Sequence, residues 1–135
     1  MEPILDEDIA EHRLQNNELT FGRDCYNASL TFILLNLSYA NIELRHYSDA
    51  VDCLNECEIL AEDKVPDVYF RRSQARTYNK YSNDYELELA MKDIIKARQL
   101  DKENVIYDEH YKKLVDLIDK NRDKKLQRIK SKIIL

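Results

Sequence analysis

A single glycine, Gly22, in 135 residues is the feature that most narrows what this chain can become. Tight hairpins draw on Gly and Pro, and the only prolines are Pro3 and Pro66, which argues against an all-β domain. One glycine also excludes a phosphate-cradling Walker loop and a dinucleotide fingerprint, each of which needs several. With 44% apolar and 35% charged residues the chain has the means to fold, and its length suits one domain. The expectation is an all-α protein.

The acidic start, Met1 to Asp8, lacks the basic and apolar regions of a signal peptide, and no stretch reads as a membrane span. Three cysteines, Cys25, Cys53 and Cys57, form no disulfide framework. The expected location is the reducing cytoplasm. Net charge is −5, yet Lys120 to Leu135 carries seven basic residues against one acid, which leaves a strongly acidic body. Such a body argues against nucleic acid as the partner.

Helical periodicity recurs along the chain. Tyr26 to Leu44 sets Leu30, Ile33, Leu34, Leu37 and Asn41 on one stripe. Asp49 to Leu60 follows, with Ser48 as the expected N-cap. Pro66 suits a first helical turn and opens a helix to about Asn79. Ser82-Asn83-Asp84 reads as turn and cap before Tyr85 to Leu100, and Asp101 to Asn104 as a break before a last helix from Val105 toward Arg128. Residues 1–23 read as partly helical, with loop at Asn16-Asn17 and at Gly22.

Helix pairs of about 35 to 40 residues constitute a repeat signal. Small residues punctuate it: Ser38, Ala50 and Cys57 in one pair, Ser73, Ala90 and Ala97 in the next. Small residues at such spacing let antiparallel helices approach closely. This pattern resembles the tetratricopeptide repeat (TPR), a unit of about 34 residues. Leu34, Leu37, Ser38, Ala50, Leu54 and Cys57 match one repeat, and Tyr69, Ser73, Ala90 and Ala97 a second, with about five extra residues around Tyr78 to Tyr85. The resemblance implies a superhelical array of antiparallel helix pairs over residues 24–104. Residues 105–135 would then be a capping helix with a basic, amphipathic tail.

The run Asp67-Val-Tyr-Phe-Arg71-Arg-Ser-Gln-Ala75 is similar to a run in the C-terminal TPR domain of large immunophilins and related chaperone cofactors. That resemblance implies a non-enzymatic protein-binding module without cofactor or metal. Its expected partner is the acidic C-terminus of heat-shock protein 90 or 70, held by a two-carboxylate clamp. Asn36 falls on the family's second-repeat Asn position and Arg71 on its third-repeat Arg position. The third-repeat Lys position is Asp67, which reverses the charge and stands one helical turn from Arg71, close enough to pair with it. The first-repeat Lys and Asn have no counterpart, so the chain reads either as a trimmed fragment or as a divergent relative. The alternative function is a structural TPR subunit that packs in a larger assembly without a clamp.

Other residues qualify for binding roles. Arg71, Arg72 and Arg76, with Lys80 beyond, form a basic cluster that is either an anion patch or arginine stems covering apolar surface. Tyr39 and Tyr78 suit a peptide groove, and Tyr69 suits either a groove or the core. The candidate peptide-binding set is Asn36, Tyr39, Arg71 and Arg76. Cys53 and Cys57 with His46 are too few for a zinc site. His12, His46 and His110 lie on separate segments and read as structural. Leu126, Ile129 and Ile133 repeat at helical spacing among the basic tail residues, which suits calmodulin, anionic lipid or a plain helix extension. With no repeat before it, the face of Tyr26 to Leu44 would be exposed, and a homodimer or helix swap is expected.

Overall fold

The computed structural model describes residues 6–133; between 6 and 18 only Gln15 is described beyond its backbone. The chain forms α1 (Asp6–Glu43), α2 (Tyr47–Ala61), α3 (Pro66–Tyr78), α4 (Asp84–Leu100) and α5 (Val105–Ile133). The all-α expectation holds. Each helix packs on its neighbours in the chain, and α3 also touches both α1 and α5. Cys57 meets the Thr31 carbonyl while Cys53 meets Asn41, so α1 and α2 run antiparallel. Ser73 on α3 bonds the Ala90 carbonyl near the middle of α4, and Arg98 in the last turn of α4 bonds Asp108 on α5.

The small residues that mark the repeat, Ser38, Ala50, Cys57, Ser73, Ala90 and Ala97, are all fully buried. A larger side chain at any of them would push two helix axes apart. Around them lie three apolar clusters. Tyr69, Leu87, Ile94, Tyr107 and Leu114 fill the space between α3, α4 and α5. Ile42, Ala50 and Ala75 meet where α1, α2 and α3 converge. Leu54, Cys57 and Val68 complete the packing of α2 on α3.

Helix ends follow local chemistry. Pro66 opens α3, Asn83 caps α4 by accepting from the Glu86 N–H, and Asn104 accepts from the N–H groups of Ile106 and Tyr107 at the start of α5. Two expectations fail. The loop at Asn16-Asn17 and Gly22 is absent: α1 runs through all three, because asparagine and glycine lower helix propensity without forbidding it. Ser48 is not a cap but lies inside α2, whose N-cap is His46 with no side-chain bond. The extra residues of the second pair are divided between the turn from Asn79 to Asn83 and the length of α4.

Candidate binding face on α1, α3 and α5

The side of α3 that faces α1 and α5 carries a chain of polar and aromatic contacts. Arg71 Nε donates to Asp67 Oδ2 at 2.8 Å, one turn back on the same helix. Its Nη1 donates to the Leu35 carbonyl on α1 at 3.3 Å, and its guanidinium carbon stands 4.9 Å from the Tyr39 ring centre. From the other side, Tyr107 on α5 donates its hydroxyl to Asp67 Oδ1 at 3.2 Å. Burial, with the Asp67 charge added, raises the Tyr107 pKa and keeps that hydroxyl a donor. One carboxylate and one guanidinium thus tie three helices together.

The four candidate residues divide. Asn36 is exposed on α1, and Tyr39, 53% exposed on the same helix, lies against Arg71. Arg76 belongs elsewhere: its Nη1 donates to Asp93 Oδ2 at 2.8 Å, across to α4. The basic cluster is therefore not an unpaired patch. Arg71 pairs with Asp67, Arg76 with Asp93, and Arg72 with Asp93 and Glu58. Arg72 is buried; its Nε and Nη2 grip both oxygens of Asp93 at 2.9 and 2.8 Å, and Nη1 also reaches Asn55. Its stem position is inward, as the cation-stem reading has it, but the charged head is buried too.

Sequence reasoning missed Asp93, Glu58 and Tyr107 as partners. A signal for Asp93 was present: it sits among the inward positions Ala90, Ile94 and Ala97, where an unpaired acid would be costly. Nothing local pointed to Glu58, because it meets Arg72 from a different helix.

His110 is buried between α3 and α5, edge-on to the rings of Phe70 and Tyr78. Ser73 Oγ donates to the Ala90 carbonyl at 2.8 Å and lies 3.0 Å from His110 Nε2, from which it then accepts. Burial, with Lys113 adding to it, pushes the His110 pKa down to about 4, so the ring is neutral near pH 7. Cys57 is buried and its thiol pushed up to about 11, chiefly by burial, which leaves it a packing residue. Among the described residues, no group of three or more His, Cys, Asp or Glu is placed to hold a metal ion. No described helix is long and apolar enough to cross a membrane.

No family model, curated protein or solved structure matches this chain. The chemistry of the face itself is therefore the guide. Its centre is a guanidinium whose Nε and Nη1 donate within the chain and which lies against the exposed ring of Tyr39.

Proposed function

We propose that the chain is a protein–protein interaction module of TPR type, a non-enzymatic subunit that takes its partner on the α1–α3–α5 face without a carboxylate clamp. One observation carries this reading. Arg71, the residue a clamp would need, donates to Asp67 and to the Leu35 carbonyl and lies against Tyr39. An incoming carboxylate would find Nε held by Asp67 and one Nη1 hydrogen held by Leu35, and would meet the negative charge of Asp67 beside the guanidinium, so it gains little. The surface that remains available on this side, Phe32, Asn36, Tyr39 and Tyr78, is aromatic and polar. It suits contact with a folded protein or a helix.

The second reading is a chaperone-cofactor domain that grips the acidic C-terminus of heat-shock protein 90 or 70. It has in its favour that Asn36 and Arg71 lie on α1 and α3, which touch. The two readings part on one titration. The full chain is titrated calorimetrically with a peptide ending Met-Glu-Glu-Val-Asp, as free acid and as C-terminal amide. The expected result is no difference between them. Free-acid-selective binding that is lost in Arg71→Ala would return the chaperone reading.

A further inference from the structure

A second surface of α1, on the side away from α3, makes a separate case. Residues 25–44 contain one charge, Glu43, in a chain that is 35% charged. Within them Tyr26, Leu30, Ile33, Leu37, Ala40 and Leu44 alternate at spacings of four and three, the spacing of a coiled-coil seam, and Leu19 precedes them by one heptad. The buried side of the same helix is made by Thr31, Ser38 and Ile42, so the seam is not what packs on α2 and α3. Leu19, Tyr26, Ile33, Leu37 and Leu44 are 68, 66, 59, 48 and 65% exposed. Together they leave on the order of 600 Å² of apolar area in one stripe, at the upper end of what monomers show and approaching the roughly 800 Å² that one side of a standard interface buries.

We infer that this stripe is a homodimer interface in which α1 of a second copy lies antiparallel across it. The sequence of the stripe selects its own copy in that direction. Set antiparallel about a two-fold axis, Leu19 meets Leu44 of the second copy, Tyr26 meets Leu37, and Leu30 meets Ile33, each contact occurring twice. The charges at the two ends then complement each other: exposed Arg23 comes within one turn of exposed Glu43 of the second copy. A parallel arrangement would instead set Arg23, which itself occupies the seam position between Leu19 and Tyr26, on Arg23 of the second copy. It would also bring together the acidic starts of both helices, Asp6, Glu7, Asp8 and Glu11. The inference does not rest on the proposed partner-binding face, although Asn36 of that face borders the stripe at Ile33 and Ala40.

The test is sedimentation equilibrium of the full chain, with helix content followed by circular dichroism. A dimer is expected. Ile33→Asp should weaken it by roughly a hundredfold or more with helix content kept, since both copies lose a central contact. Arg23→Glu and Glu43→Arg should each weaken it about tenfold, and the double reversal should restore it. A chain that stays monomeric at 100-fold dilution steps down from the highest soluble concentration overturns the proposal, as does a dimer indifferent to Ile33→Asp. A double reversal that fails to restore affinity overturns the antiparallel pairing. Loss of the dimer on removing residues 124–135 alone would assign the contact to the basic tail instead.

Discussion

At the residue scale, two buried polar groups set how the domain responds to mutation and to pH. Asp93 accepts from both Arg72 and Arg76, so its loss would leave two guanidinium groups near the core with their main partner gone. Asp93→Ala should cost about 3–5 kcal/mol in urea unfolding, whereas Glu58→Ala, at the more exposed end of the same network, should cost less than about 1 kcal/mol. His110 gives the pH dependence. Its folded pKa, about 4, lies below the ordinary histidine value of 6.5. Between those values the unfolded chain binds a proton that the folded chain refuses. Stability is therefore level above about pH 6.5 and falls as the pH drops toward 4, by up to ~3 kcal/mol from this group. Unfolding measured at pH 7 and pH 4.5 should show that loss, and His110→Phe should remove most of it.

At the element scale, helix boundaries that depend on side-chain caps were legible, and those that depend on backbone conformation were not. Pro66 and Asn83 announce their helix starts in the sequence and hold them in the structure, and the break read at Asp101 to Asn104 ends in the Asn104 cap of α5. The turn after α1 gives no such notice. Arg45 takes φ 63°, and after α2 Glu62 and Asp63 take φ 50° and 61°. These are left-handed conformations that proteins usually assign to glycine or asparagine, and the chain's one glycine is spent inside α1 instead. Each costs about 1 kcal/mol. Arg45 is exposed, so Arg45→Gly should stabilise the domain by about 1 kcal/mol, read as a rise in the urea midpoint with an unchanged slope. The same logic explains the misread start of the chain. Asn16, Asn17 and Gly22 look like punctuation, but α1 continues through them, and a Cβ on Gly22 would meet nothing within 4 Å.

At the scale of the whole molecule, the pairing of helices followed from small residues. Ser38, Ala50, Cys57, Ser73, Ala90 and Ala97 were legible as close-approach positions because their spacing repeats, and all are buried. The candidate face was only half legible. The Asp67–Arg71 pair lies within one helix and could be read from a four-residue spacing. Its ties to Leu35, Tyr39 and Tyr107 cross between helices, and Arg76 turns to α4. A linear sequence cannot show which of three neighbouring arginines faces which helix. The chain therefore carries Arg71 at the position the resemblance implies while tying it to Asp67 and Leu35. The most direct measurement of this is the same calorimetric titration made on Asp67→Lys, which removes the internal carboxylate and supplies a second cation. The expected result is that the native chain ignores the free-acid peptide while Asp67→Lys binds it in preference to the amide, and that adding Arg71→Ala abolishes the gain. Native chain that binds the free acid as tightly as Asp67→Lys would contradict the claim that Asp67 closes the site.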